Sequence, residues 1–170
     1  MNMKLIGSVL IIATCGGVGF SMAASHRREE RALRELYRVL DYMASELQYH
    51  LLPLPELCRR VAGESSGPVR QVMEALSQEL ESQIAPDAAA CMTAALAKIQ
   101  KLPQGLRKHM ADLGVSLGRF DLEGQLRGLE AARRACATAI EALSENRDQR
   151  LRGYQTLGLC AGCALAILFL

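Results

Sequence analysis

Two apolar stretches without a charged residue lie at the ends of this chain, and they constrain its fold more than any other feature. Residues 5–24 are twenty such residues, and residues 157–170 are fourteen more. An α-helix rises about 1.5 Å per residue, so the first stretch measures about 30 Å, the thickness of the hydrocarbon core of a bilayer. With three more residues before it, the second reaches about 25 Å, which a locally thinned bilayer accommodates. We therefore predict an N-terminal transmembrane helix, a polar domain and a C-terminal transmembrane helix: residues 1–24, 25–153 and 154–170.

Basic residues flank the polar domain on both membrane sides. Four arginines lie within residues 27–34, directly after the first apolar stretch, and three lie within residues 147–152, directly before the second. The positive-inside rule then places the domain in the cytoplasm, on the inner face of the cell membrane. An alternative is an exported helical protein whose leader is cleaved near Ala24, since Ser21 and Ala23 are small residues of the kind that a signal peptidase reads. The whole chain carries 20 basic and 18 acidic residues, and we expect no nucleic-acid partner.

The composition and the apolar spacing favour helices. The chain has no Trp and 3 Phe, and it is rich in Ala, Leu, Glu and Arg. No Gly or Pro interrupts residues 20–52, and none of the five Pro follows residue 103, so both apolar ends are expected to continue as helices into the polar domain. Each of these two arms carries apolar residues at heptad-like spacing. The two stripes are Leu33, Leu36, Leu40, Met43 and Leu47 in the first arm, and Leu126, Leu129, Cys136, Ile140 and Leu143 in the second.

Proline, glycine and aspartate divide the segment between the arms into four shorter helices. Proline favours the first turn of a helix and cannot continue one, and an aspartate before a helix caps its free N–H groups. We expect Gly114 and Gly118 to loosen the end of the fourth short helix. The prediction is an all-α, membrane-anchored antiparallel helical bundle with long N- and C-terminal helices that continue into transmembrane segments. The punctuating residues are Pro53, Pro55, Gly67, Pro68, Pro86, Asp87, Pro103 and Asp121.

Small residues recur at every fourth position in both apolar ends. This spacing lets helix backbones approach closely in lipid, so the two faces are candidate packing sites for each other or for another membrane protein, unless Gly and Ala are simply frequent here. The sequence leaves self-association of the chain open. The residues are Ala13, Gly17 and Ser21 at the N-terminus, and Gly158, Gly162 and Ala166 at the C-terminus.

Signatures of enzyme chemistry are missing from the sequence. There is no phosphate-binding Gly-x-x-x-x-Gly-Lys-Ser/Thr loop. His26, His50 and His109 are isolated from one another, and we interpret His50, near the Pro turn, as a surface or core imidazole. We interpret Cys58, Cys91 and Cys136 as small buried side chains in a reducing compartment. No catalytic, cofactor-binding or metal-binding residue is predicted, and the chain is not expected to be an enzyme.

Three sequence patterns resemble the stage III sporulation protein AB family of endospore-forming bacteria, and together they cover essentially the whole chain. The first is the opening run from Met3 to Ala13, followed by Gly19-Phe20. The second comprises Arg34-Glu35-Leu36 through Leu40, Glu46, Tyr49 and Pro53-Leu54-Pro55-Glu56. The third is Gly114-x-x-Leu117-Gly118-x-x-Asp121-x-x-x-Gln125. The chain departs from the family's pattern at Ser21-Met22 and at His50-Leu51-Leu52.

The resemblance implies a function that the residues alone leave open. Members of that family belong to a channel complex that joins mother cell and forespore during spore formation, and their helical domain is similar to the cytoplasmic domains of the type II secretion platform protein. The implied role is a non-catalytic platform in the mother-cell membrane around the forespore. It would dock the cytosolic motor ATPase, stage III sporulation protein AA, and contact other membrane proteins of the channel. A self-associating membrane scaffold without ATPase contact is the alternative from another functional class.

The motor is expected to bind where the two arms lie farthest from the membrane. This region mixes apolar with charged side chains, although Pro53, Gly118 and Asp121 also fit as helix punctuation and Tyr49 also fits as a core residue. The predicted contact residues are Tyr49, Pro53, Leu54, Glu56, Arg59, Gly118, Asp121 and Gln125.

Overall fold

The chain folds into helices throughout the part that the structure describes. A computed structural model describes the backbone of residues 2–50, 52–117 and 121–169, and the side chains of residues 24–50, 52–117 and 121–145. These residues form six helices and no strand, which confirms the predicted all-α class. The helices are α1 (Asn2–His50), α2 (Leu54–Glu64), α3 (Gly67–Ser82), α4 (Ala88–Lys98), α5 (Gln104–Ser116) and α6 (Leu122–Phe169).

The helix boundaries follow the predicted punctuation. Pro53 precedes α2, and Gly67, with φ +59°, begins α3 in the left-handed region that glycine tolerates. Asp87 caps α4 by accepting a hydrogen bond from the N–H of Ala90 at 2.8 Å. Asp121 caps α6 in the same way, with its Oδ1 3.0 Å from the N–H of Gly124. The predicted loosening at Gly114 is wrong, because α5 continues to Ser116 and Gly114 is buried where a Cβ would lie 2.6 Å from the Cβ of Met92. Gly114 therefore allows α4 and α5 to pack closely.

The core forms along one side of α1. All five residues of its predicted stripe are buried, each at most 5 % exposed. The stripe of α6 is confirmed only in part, because Leu129 and Cys136 are buried whereas Leu126, Ile140 and Leu143 are half-buried. The reason is position: α1 contacts α2, α3, α5 and α6, whereas α6 contacts only α1 and α5 among the described helices.

Two carboxylates of α1 cap the starts of other helices. Glu29 accepts a hydrogen bond from the N–H of Gly105 at 2.6 Å, in the first turn of α5. Glu35 accepts from the N–H of Ser66 at 2.7 Å and from its hydroxyl at 3.1 Å, at the N-cap of α3. Neither Ser66 nor Pro103 makes a side-chain cap of its own. Both helix starts, with their exposed N–H groups, are therefore stabilised by carboxylates from α1.

These contacts define two ends of the bundle. Short connections favour antiparallel neighbours, so successive helices reverse direction. The starts of α3 and α5 lie beside Glu35 and Glu29, which are 15 and 21 residues before the end of α1. The α2–α3 and α4–α5 connections thus form the lower end of the bundle. The α1–α2, α3–α4 and α5–α6 connections form its upper end, and the α1–α2 connection lies about 22 Å above the level of Glu35.

The helix axes of α1 and α6 are continuous beyond the bundle, over residues 2–50 and 122–169. This agrees with the prediction that each arm continues into an apolar end. Apart from Ala24, the predicted transmembrane segments lie outside the residues whose side chains are described, and so do their packing residues Ala13, Gly17, Ser21, Gly158, Gly162 and Ala166. A search of the described residues for a helix that is long and apolar enough to cross a bilayer finds none.

Candidate partner-binding site

The first half of the predicted site lies on the α1–α2 connection at the upper end. Tyr49 is 76 % exposed, which excludes its interpretation as a core residue. Pro53 and Glu56 are exposed and Leu54 is half-buried against the core. Glu56 has no ion-pair partner among the described residues. The exposed guanidinium of Arg59 pairs with Glu81 of α3 and so ties α2 to its neighbour.

The second half of the site lies at the start of α6. Asp121 is exposed and caps the helix, and Gln125 is half-buried one turn later. Gly118 lies outside the described residues. Arg133 Nη1 lies 2.7 Å from Asp41 Oδ1, which fixes the level of α6 against α1. In antiparallel helices Tyr49 and Gln125, each eight residues from this ion pair, lie at the same level, so the structure brings the two halves of the site to one end of the bundle.

A buried carboxylate lies directly below the α1–α2 connection. Glu46 is 9 % exposed, and its Oε2 lies 2.8 Å from Arg60 Nη1 and 3.4 Å from His50 Nδ1. The phenol of Tyr42 also donates a hydrogen bond to this carboxylate, and burial together with this bond raises the pKa of Tyr42. Glu46 therefore connects the last two turns of α1 to α2. Because the group is charged and desolvated, loss of one partner would cost more than loss of a surface ion pair.

Exposed apolar side chains at the upper end were not predicted from the sequence. Ile84 in the α3–α4 connection is 86 % exposed, Val115 near the end of α5 is 51 % exposed, and Leu122 at the start of α6 is 39 % exposed. Each stands outside the apolar stripe of its helix or in a connection, where periodicity gives no signal. For Ile84, its place between Gln83 and Ala85-Pro86, in a segment without helical spacing, could have indicated an exposed apolar residue.

The described residues contain no cluster of metal ligands, and the pKa values of two of their three buried thiols are well above neutral pH. They contain no group of three His, Cys, Asp or Glu side chains arranged to hold a metal ion. Within them, every buried side-chain nitrogen or oxygen has a hydrogen-bond partner. Cys58, Cys91 and Cys136 are buried free thiols, and burial raises the pKa of Cys58 to about 12 and that of Cys136 to about 11. At neutral pH these two thiols are protonated, and only thiolates are strong nucleophiles and metal ligands.

The fold and the candidate site together define the class of this protein. It is an all-α bundle with long helices at both chain ends and a mixed apolar and charged surface at its upper end. The chain belongs to the stage III sporulation protein AB family, whose model matches residues 4–170. The stage III sporulation protein AB of Bacillus subtilis (strain 168) is 25% identical over 175 residues, with 99% of each chain covered. The family is named for a sporulation protein and not for an enzyme class.

A solved structure has the same fold. It is the structure of a stage III sporulation protein AB, and it aligns with a TM-score of 0.62 at 20% identity over 72% of this chain and 98% of that one. At this identity the similarity concerns the fold alone.

Proposed function

We propose that this chain is a non-catalytic membrane platform of the channel complex between mother cell and forespore. Its upper end docks the cytosolic motor ATPase, stage III sporulation protein AA, and its apolar ends anchor it in the mother-cell membrane with the bundle in the cytoplasm. Family membership supports a role in sporulation. The more specific role as a motor-docking membrane platform is what the family resemblance implies, and the arrangement of the bundle is consistent with it.

One observation carries the proposal. The two long helices α1 and α6 are joined by the Asp41–Arg133 ion pair and continue toward the predicted anchors, while the candidate site lies at their opposite end. A partner bound at the upper end would therefore contact helices that continue without a break toward the predicted anchors. Packed side chains and rigid helices carry coupling between distant sites. This arrangement suits a part that transmits the movement of a motor to a channel.

Calorimetric titration of the full-length chain in lipid nanodiscs with the purified ATPase, with and without ATP, tests the proposal. We expect saturable binding that is lost on Glu56→Lys, because this carboxylate is exposed at the start of α2.

The matched control is the exposed Arg70–Glu74 ion pair of α3, which lies outside the upper end. Arg70→Glu or Glu74→Lys should leave binding unchanged. If the folded wild-type chain does not bind the ATPase, the platform role is wrong. The alternative of self-association within the membrane would then be tested at the helices around Gly17 and Gly162.

A further inference from the structure

The α3–α4 connection holds the most exposed large apolar side chain of the described residues. Ile84 is 86 % exposed, although its neighbours Leu80 and Ala85 pack against the core. The backbone on both sides is fixed: Gln83 ends α3 in the left-handed conformation with φ 53°, and Asp87 caps α4. An ordered turn therefore holds Ile84 toward solvent. Its apolar side chain stays in contact with water, which is unfavourable in free energy.

This connection lies at the same end as the proposed docking residues. The Arg59–Glu81 ion pair joins the last turn of α3 to the middle of α2, and α3 runs antiparallel to α2. The end of α3 is thus beside the first half of α2, and α2 begins where α1 ends. Ile84 and Tyr49 consequently belong to one end of the molecule, on neighbouring connections.

The exposed large apolar residues are distributed unevenly. Single exposed apolar side chains are ordinary on protein surfaces, but a concentration of them marks an interaction site. The described part of the chain has five, and four of them lie on or beside the three upper connections: Tyr49, Ile84, Val115 and Leu122. The fifth, Tyr37, is covered on one side by the guanidinium of Arg133, which lies 5.7 Å from the ring centroid.

Exposed acidic side chains lie on or beside the same connections as these apolar residues. Glu56, Asp87 and Asp121 are exposed on the turns that begin α2, α4 and α6. Among the described residues of these turns, the charge of Arg59 is already compensated by Glu81. Among the described residues, this surface therefore combines exposed apolar groups with carboxylates that have no ion-pair partner, and its complement is an apolar surface bordered by basic side chains.

We propose that Ile84 and Tyr49 are the two apolar anchors of the docking surface, and that the ATPase receives them in an apolar depression bordered by Lys or Arg. This inference rests on the proposed function and adds the α3–α4 connection and the chemistry of the partner to it. Tyrosine is frequent among the residues that dominate binding energy, and a few buried anchors normally supply most of it. The acidic residues around them set orientation and association rate.

The test is the titration of full-length chain in nanodiscs with the ATPase, carried out on Ile84→Ser, Tyr49→Ser and the conservative control Ile84→Val. Each serine variant should weaken binding about tenfold or more, and Ile84→Val should bind like wild type. Since both side chains are exposed, the thermal unfolding midpoint should not change. Raising the salt concentration from about 0.05 to 0.3 M should weaken wild-type binding several-fold, because exposed charge pairs are screened.

The outcomes separate the anchor from the platform. Normal binding by Ile84→Ser together with loss of binding by Glu56→Lys would overturn the anchor role of Ile84 and leave the platform role intact. Binding that is insensitive to salt would overturn the basic border of the partner surface. Absence of binding by wild type would overturn the platform role itself and the inference with it.

Discussion

The two long helices of this molecule have similar sequence patterns but different places in the fold. Both α1 and α6 carry five apolar residues at heptad-like spacing, and both extend well beyond the four short helices. In α1 all five are buried, whereas in α6 three of the five are half-buried. The spacing shows that each helix has an apolar face, but the number of neighbouring helices decides how much of that face leaves water.

The acidic residues of the two helices also differ, because several of those in α1 contact other helices. Four carboxylates of α1 reach other helices: Glu29 reaches α5, Glu35 reaches the start of α3, Asp41 reaches α6 and Glu46 reaches α2. The two carboxylates of α6 with ion pairs among the described residues pair within their own helix: Glu123 with Arg127, and Glu130 with Arg134. Among the described residues α1 therefore organises the bundle, and α6 lies along its edge.

Matched truncations in the two helices should show the largest difference. Leu40→Ala removes a side chain that is 1 % exposed, and we expect it to lower the free energy of unfolding by about 2–5 kcal/mol, from lost burial and the cavity left behind. Ile140→Ala removes a half-buried side chain at the edge, so its effect should be about 1 kcal/mol. Denaturant unfolding of the full-length chain in detergent micelles, followed by circular dichroism, measures both. Equal losses would contradict the central position of α1.

A pair of glycine substitutions tests the capping of α5 by α1. A Cβ on Gly105 would overlap the carboxylate of Glu29, which must then move and release the N–H that it caps. Nothing lies within 4 Å of a Cβ on Gly63, which is exposed in α2. Gly63→Ala should raise the free energy of unfolding by up to about 1 kcal/mol, because alanine favours the helix.

Gly105→Ala should lack that gain and lower the free energy of unfolding by about 1 kcal/mol, the usual contribution of a helix cap. Hydrogen exchange at the first turn of α5 provides a local readout, since release of the cap should speed exchange there and leave α6 unchanged. Stabilisation by Gly105→Ala with unchanged exchange would show that the carboxylate of Glu29 is dispensable for the start of α5.

The sequence predicts the features that depend on local chemistry. Pro53, Asp87 and Asp121 mark helix boundaries because a missing N–H or a capping carboxylate acts within one turn. The stripe of α1 is predictable for a similar reason, as periodicity identifies a face. The same reasoning fails for α6, because periodicity contains no information on how many helices pack against that face.

Features that depend on tertiary contacts could not be predicted from the sequence alone. Glu29 and Gly105 are 76 positions apart, and Glu29 reads as an ordinary solvated acid of an Arg- and Glu-rich helix. Ile84 is similar, since its exposure follows from the neighbours of a turn and not from its own segment. The candidate residues of the α1–α2 connection and of the start of α6 were predicted because two arms of similar length place them together. The exposure of Ile84 on the α3–α4 connection at the same end was not predicted.

The smallest expected effect concerns acid stability and again separates the two helices. Hydrogen bonds from Arg38 and Ser66 hold the pKa of Glu35 below its ordinary value, and hydrogen bonds from Arg134 and Arg133 do the same for the pKa of Glu130. A carboxyl group with a lowered pKa in the folded state stabilises the fold above its unfolded pKa of about 4.3, and this contribution is lost as the pH falls through the folded value.

The thermal unfolding midpoint of Glu35→Gln and of Glu130→Gln should therefore fall less steeply than that of wild type as the pH drops below about 4.3. At about 0.5 M salt the difference should disappear for Glu130, whose partners are exposed arginines of its own helix, because exposed charges are screened. It should persist for Glu35, because the N–H of Ser66 binds that carboxylate by a hydrogen bond between two helices that salt does not screen. If salt abolished both differences equally, Glu35 would act only through Arg38, and the link from α1 to α3 would contribute nothing to the acid stability of the bundle.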